Sequence, residues 1–380
     1  MPSDLKRFYN RQIVEEIGRD LQHAYPAFNY QAFVAECLSG LSRLELKARA
    51  WHIAEAMRHH LPAEYPQAAK VLLRSLPPAD TPRHETGGSM DAFRYLPHVL
   101  FVSKYGLDDF EVSMNAQHEL TKRFTAEFSV RAFFEKYPAA THGRFVEWAR
   151  APSVHGRRLV SEGSRPRLPW APRLRAFQED PAPVLVLLEL LKDDPELYVR
   201  RSVANNLNDI AKDHPDVVIA TCQRWAKDTK GIGPDSELNR RQIIRHALRS
   251  LVKQGHPGAL AVLGFDAAPK VRVENPKLTP KVVKIDEALH FSFDLASTVA
   301  KQQTRMVDYA VHFIKANGTT APKVFKLSPV TLPAGGTAHL RGSVSFRQMT
   351  TRKHYPGPHR LELSINGVSF PLGSIKLIPK

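Results

Sequence analysis

The sequence predicts a mainly α-helical chain: a HEAT-like α-helical repeat solenoid, then a C-terminal all-β immunoglobulin-like sandwich. Three observations predict it. Residues 1–265 carry apolar side chains at helical spacing, in segments closed by prolines. Within them, His214-Pro215 and His256-Pro257 lie 42 residues apart, and a period of about 40 with paired helices marks HEAT-type repeats. From about residue 268 the spacing changes to period two.

The elements follow in order. "LKRFYNRQIVEEIGRDLQHAYP" places Leu5, Phe8, Ile13, Ile17 and Leu21 at helical spacings. "NYQAFVAECLSGLSRLELKARAWHIAEAMRHHLP" gives two helices separated near Ser39-Gly40, and "YPQAAKVLLRSL" gives another. "RRLVSEGSRPRLPW", residues 157–170, reads as a loop, too rich in proline for a helix and too charged for a strand. "PAPVLVLLELLKDDPELYVRRSVANNLNDIAKDHPD" reads as helix, Asp-Pro turn, helix, with Val199, Val203, Leu207 and Ile210 facing the stack. "SELNRRQIIRHALRSLVKQGHPG" repeats its ending. Such stacks curve, and their concave face suits an extended partner. "KVRVENPKLTPKVVKIDEALHFSFDLAS", "MVDYAVHFIKANG", "AHLRGSVSFRQMT" and "HRLELSINGVSF" then alternate apolar and polar residues, separated by turns such as "PAGG", "NGTT" and "ING". Seven or so strands in about 110 residues fit a sandwich of the immunoglobulin kind without its disulfide. The expected domains are 1–268 and 269–380.

Charge narrows the partner. The net charge is +16, and a surplus that large points first to a polyanion. Residues 269–380 hold 17 Lys and Arg against 6 Asp and Glu, so the small domain carries most of the excess. It is expected to be a second arm gripping a phosphate backbone. Cys37 and Cys222 form no zinc spacing and no disulfide framework. No apolar run is long enough to span a membrane and no signal-peptide core is seen at the N-terminus, so a reducing cytoplasm is expected. His59-His60 and His84 lack ligand spacing, and neither "ETGGSM" nor "PAGGT" fits a phosphate-binding loop. No metal or other cofactor is expected.

Three motifs in order are more specific. "FTAEFSVRAFFEKYP", "RRLVSEGSRPRLPW" and "VRRSVANNLNDIAKDHP", with "LKRFYN…AYPAF…LELKARAWHIAEAM" before them, resemble the AlkC branch of the alkylpurine DNA glycosylases. The resemblance covers about residues 1–265. It implies a base excision repair enzyme that removes cationic N3-alkylated bases, 3-methyladenine and 3-methylcytosine above all. It implies no base flipping and no metal. The implied partner is double-stranded DNA containing alkylated bases, met by a monomer in the bacterial cytoplasm, with no membrane and no obligate protein partner.

The chemistry fits those residues. A base methylated at N3 is a cation that leaves as a neutral molecule, so its departure needs no strong acid. The remaining demand is negative charge near an oxocarbenium-like sugar and a positioned water. Glu162 is read as that charge, and Trp170 as a wall holding the cationic base through cation–π attraction. Asp209 matches the carboxylate of the family's second motif, and Glu127 matches the remaining one in a supporting role. Arg157, Arg158, Arg165, Arg167, Arg200 and Arg201 are read as phosphate contacts, and Arg158 could also reach into the duplex. Each has a plainer alternative: Glu162 balancing arginines, Trp170 anchoring core, Asp209 stacking repeats, Glu127 capping a helix or pairing with Arg131. The rival function is a non-catalytic HEAT-repeat scaffold binding damaged or structured nucleic acid. A pure phosphate binder should avoid carboxylates on its basic face. A protein-binding adaptor comes third, since the +16 charge weighs against an ordinary neutral partner.

Overall fold

The computed structural model describes residues 5–78, 90–228, 233–265, 269–349 and 353–380; His84 and most of "ETGGSM" lie outside them. The chain divides into two compact units, Met1–His214 with Gly231–Ala247, and Pro215–Lys230 with Leu248–Lys380.

The first unit is helical. Its helices are Arg11–Ala24 (α1), Tyr30–Leu38 (α2), Leu46–His60 (α3), Tyr65–Arg74 (α4), Leu96–Tyr105 (α5), Phe110–Thr121 (α6) and Val130–Lys136 (α7). Pro138–Trp148 (α8), Val154–Gly163 (α9), Arg175–Glu179 (α10), Ala182–Leu191 (α11) and Leu197–Ile210 (α12) follow. Local chemistry sets the boundaries. Asn10 and Asn29 accept from Ile13 N and Ala32 N at the starts of α1 and α2. Gly40, at φ 75°, breaks the chain between α2 and α3, where the Ser39-Gly40 pair predicted a break. Apolar residues at helical spacing are fully buried, among them Val14, Ile17, Leu21, Ile53, Phe101, Val199, Val203 and Leu207.

In the second unit Pro215–Lys227 (α13), Arg249–Lys253 (α15) and Pro257–Val262 (α16) accompany the strands, while Pro234–Ala247 (α14) belongs to the first. The repeated His-Pro pairs mark the starts of α13 and α16, where proline's missing N–H costs nothing. Eight strands follow: Val271–Thr279 (β1), Val282–Lys284 (β2), Ala288–Ser297 (β3), Gln303–Ile314 (β4), Thr320–Leu332 (β5), Thr337–Ser345 (β6), Gly357–Ile365 (β7) and Val368–Ile378 (β8). They form one sheet in the order β1-β3-β6 and another in the order β2-β8-β7-β4-β5, antiparallel except for β2 with β8. The alternating residues face inward: Leu289, Phe291, Phe293 and Leu295 of β3 pack in one core with Val307, Tyr309, Leu361, Leu363 and Ile375. Each such side chain contributes about 1.5–3 kcal/mol by leaving water. The "ING" signal is the β7–β8 turn, with Asn366 and Gly367 both at positive φ. Gly367 also lies against Gly255 just after α15, so close that a Cβ on Gly367 would sit 1.9 Å from the Gly255 Cα.

Candidate active site

Residues 154–163 are helical, which corrects the expected loop for the first half of "RRLVSEGSRPRLPW". The physical reasons are local. Ser153 caps the helix by accepting from Gly156 N. Leu159 and Val160 are buried as α9 packs against α6, α8, α11 and α12. Both prolines fall beyond the helix end, and the arginines are neutralised by partners. Glu162 therefore stands in the last turn of α9, at 6% exposure. A carboxylate there opposes the helix dipole by roughly 0.3–1 kcal/mol, so other groups must hold it. Arg165 Nη1 donates to its Oε1 at 2.5 Å, and Ser202 Oγ of α12 donates to Oε2 at 2.6 Å. Arg158, one turn back, has Nη2 3.7 Å from Oε2. Burial alone would push the Glu162 carboxyl up; Arg158, Arg165 and the Ser202 hydrogen bond outweigh it and hold the carboxyl below the usual range. Gly163 follows because the backbone passes close to its neighbours: a Cβ would come within 2.7 Å of Val130 Cγ2.

Asp209 repeats the arrangement at the end of α12, 2% exposed. Arg165 Nε donates to its Oδ2 at 2.8 Å and Lys212 Nζ to its Oδ1 at 2.9 Å. One guanidinium thus bridges Glu162 and Asp209. Burial opposes the Arg165 charge, but the two carboxylates raise its pKa. Arg200 and Arg201, the sequence neighbours of this motif, are not Asp209's partners.

Glu127 joins from the turn between α6 and α7. Thr125 Oγ1 and Arg158 Nη1 both donate to its Oε2, at 2.6 and 2.8 Å. Its Oε1 is the one carboxylate oxygen of the three residues that no protein group donates to among the described residues. The pairing of Glu127 with Arg131 suggested by their spacing does not form. Arg131 instead donates to the carbonyls of Gly163, Arg165 and Pro172, and this pins the turn after α9 from inside. Its burial lowers the guanidinium pKa to about 10. Arg158 lies between Glu127 and Glu162, with its guanidinium 5.1 Å from the centre of the half-exposed Tyr198 ring.

Trp170 is 49% exposed, which removes the core-anchor alternative. Its φ of 66° is a left-handed conformation that bulky residues seldom adopt. Lys47 Nζ donates to its carbonyl oxygen and lies 5.7 Å from the Phe128 ring centre, next to Glu127.

The other arginines are mostly engaged within the protein. Arg157 is held by Asp194, Nε to Oδ2 at 2.6 Å, and by the Ala151 and Pro152 carbonyls. Arg167 pairs with Asp213 through Nε at 2.7 Å. Arg200, 8% exposed, donates to the carbonyls of Asp194 and Pro195. Arg201 alone of the six is exposed. Sequence reasoning missed Lys47, Thr125, Phe128, Arg131, Tyr198, Ser202 and Lys212. His59 and His60 both meet the Glu36 carboxylate, at 2.7 and 2.9 Å. Among the described residues no three His, Cys, Asp or Glu side chains are arranged to hold a metal, and no helix is long and apolar enough to cross a membrane.

On the sandwich, Lys277, His290, Ser292, Arg341 and Ser343 line a cleft of about 510 Å³ on the three-stranded sheet. Neither Lys277 nor Arg341 forms an ion pair with a carboxylate among the described residues.

Comparison with known proteins identifies relatives of the whole chain. Residues 272–379 match the family model described as the C-terminal Ig-like domain of the uncharacterised protein YhaZ. The uncharacterized protein YhaZ of Bacillus subtilis (strain 168) is 36% identical over 369 residues, covering 96% of this chain and 97% of that protein. The alkylpurine DNA glycosylase AlkC of Pseudomonas fluorescens, solved bound to DNA containing an abasic site analog, is 38% identical. That structure superposes with a TM-score of 0.86, covering 98% of this chain and 99% of its own.

Proposed function

The chain belongs to the AlkC family of alkylpurine DNA glycosylases, and from that premise we propose that it hydrolyses the N-glycosidic bond of cationic N3-alkylated bases in DNA. The single observation that carries this is the convergence of Glu127, Glu162 and Asp209 on Arg158 and Arg165 in a buried cluster. The C1′–N bond breaks with its electron pair leaving on the base, which neutralises the base's charge. Water adds to C1′ and gives up a proton. Glu162 and Asp209 supply the negative charge that steadies the sugar as it becomes cationic. Glu127 takes the water's proton through its open Oε1. Arg165 aligns Glu162 and Asp209, and with Arg158 it keeps Glu162 ionised. Trp170 is the wall against which a cationic base rests.

No nucleotide flipping is required, because the carboxylates act on the sugar. The likeness to a DNA-bound glycosylase supports DNA as partner, and the reading has the chain acting as a monomer, without cofactor, in the bacterial cytoplasm. Arg157, Arg165, Arg167 and Arg200 serve mainly to hold carboxylates and carbonyls, and phosphate binding falls to Arg201 and the cations of the sandwich. Arg158 is free to turn toward the duplex only by releasing Glu127. Domain 1–268 carries the chemistry and domain 269–380 the second grip. The test is a duplex with one 3-methylcytosine, treated with the protein and then alkali: strand cleavage at the lesion supports the reading. Tight binding with no abasic site at any protein concentration would leave the scaffold instead.

A further inference from the structure

Trp170 is poorly held by its own packing. The residue is 49% exposed, while Trp148 and Trp225 are buried. Its φ of 66° is costly for a bulky residue and persists only where neighbouring groups enforce it. Arg131 ties down Pro172 and Arg165 on either side but makes no bond to Trp170. The hydrogen bond to Trp170 from outside its own turn comes from Lys47 Nζ, in the first turn of α3, 123 residues away. Lys47 is available for it. The nearby Glu45 is taken by Lys6 at 2.9 Å, and no carboxylate among the described residues pairs with Lys47. The same ammonium faces the ring of Phe128, whose backbone carries on from Glu127. One half-buried cation therefore links the Trp170 carbonyl to the turn that presents a carboxylate.

We propose that Lys47 is a positioning residue: by binding the Trp170 carbonyl it fixes the indole in the left-handed conformation and so sets the preference for cationic over neutral bases. This rests on the reading of Trp170 as the lesion wall. Lys47 touches neither base nor sugar, and its effect passes through Trp170. Arginine in its place keeps a cationic donor; methionine keeps the length and loses it.

The experiment compares Lys47→Met, Lys47→Arg, Trp170→Ala and the double variant Lys47→Met with Trp170→Ala. The readouts are single-turnover release of 3-methylcytosine and of a neutral alkylated base, and acrylamide quenching of tryptophan emission, with Trp170→Phe isolating the Trp170 share. Lys47→Met should slow release of the cationic base about 10-fold and the neutral base little. Lys47→Arg should stay within about 3-fold of the parent. With Trp170 already alanine, Lys47→Met should change release by less than about 2-fold, because coupled residues do not add. Trp170 quenching should rise in Lys47→Met and return in Lys47→Arg. Equal losses in both backgrounds, or no loss from Lys47→Met, would overturn the proposal. If Trp170→Ala cleaves at the parent rate, the lesion-wall reading fails; altered quenching in Lys47→Met would then uphold the Lys47–Trp170 link alone, and unaltered quenching would sink that too.

Discussion

Glu162→Gln keeps the side chain's shape and removes its charge. In the fold the carboxylate receives Arg165 at 2.5 Å and Ser202 at 2.6 Å; an amide can accept from one of these and must turn its NH₂ toward the other. The catalytic loss follows from Coulomb's law. A unit charge 4 Å from another at an effective dielectric of 20 is worth about 4 kcal/mol. A sugar carrying about half a charge feels roughly 2 kcal/mol of that, and the lost alignment adds to it. Removing one strong electrostatic stabiliser typically costs about 10²–10³ in rate, so release should fall by about 10²-fold or more. Folding should suffer less. Arg165 retains Asp209 and Arg158 retains Glu127, so the cost stays below the roughly 3–5 kcal/mol seen when a buried charge loses its only partner. The assay is single-turnover release of 3-methyladenine, with DNA affinity by anisotropy and stability by urea titration. A parent rate, or a rate loss matched by an equal loss of affinity, would refute the reasoning, since a group acting in the transition state shows in rate and not in binding.

Asp209→Asn should behave similarly, and the two substitutions together should cost less than the product of the single losses, since Arg165 joins both residues; strict multiplication would argue against a shared cluster. Because the Glu162 carboxyl is held below its usual range, the ionised form and the stability it brings are present above the unfolded value, about 4.3, and are lost only as pH falls through the lower folded value. Release should therefore be flat from about pH 8 to about pH 5 as far as Glu162 is concerned; a rate–pH profile with an acid limb that Glu162→Gln abolishes, centred at or above pH 6, would contradict this. Gly163→Ala would place a methyl 2.7 Å from Val130 Cγ2, and overpacking of that kind costs about 1–3 kcal/mol, readable as a lower urea midpoint at unchanged m-value. Lys277→Glu with Arg341→Glu, on the sandwich cleft, should weaken binding to all DNA sequences alike and flatten the log affinity–log salt slope by about 0.9 for each phosphate the variant no longer neutralises; an unchanged slope would show that this face does not meet DNA.

The broad architecture was legible because helical spacing, proline stops and period-two alternation are local signals. Asn366-Gly367 at a hairpin and Gly40 at a helix break carried their backbone conformations in their identities. The α9 helix was misread because proline content was averaged over 157–170, whereas both prolines lie after Gly163. Ser153 as a cap and Arg158 one turn before Glu162 were the signals that could have found it. The three carboxylates were visible as motifs; their bridging by Arg165 was not, since that pairing joins residues 44 apart. Arginines in a row looked like phosphate grips because sequence shows charge but not what neutralises it. Asp194 and Asp213 neutralise Arg157 and Arg167, and main-chain carbonyls accept the Arg200 hydrogen bonds without neutralising it. Lys47 and Arg131 were invisible for the same reason, as their partners are backbone carbonyls brought near only by packing.

The most direct test of the central claim is to incubate the purified protein with N-methylated duplex DNA in EDTA and identify the released bases by mass. Free 3-methyladenine and 3-methylcytosine, with uncharged lesions released far more slowly, is the result predicted for carboxylates steadying a sugar whose base leaves unaided. Intact DNA bound to the protein with no base released, or equal release of charged and neutral lesions, would contradict it.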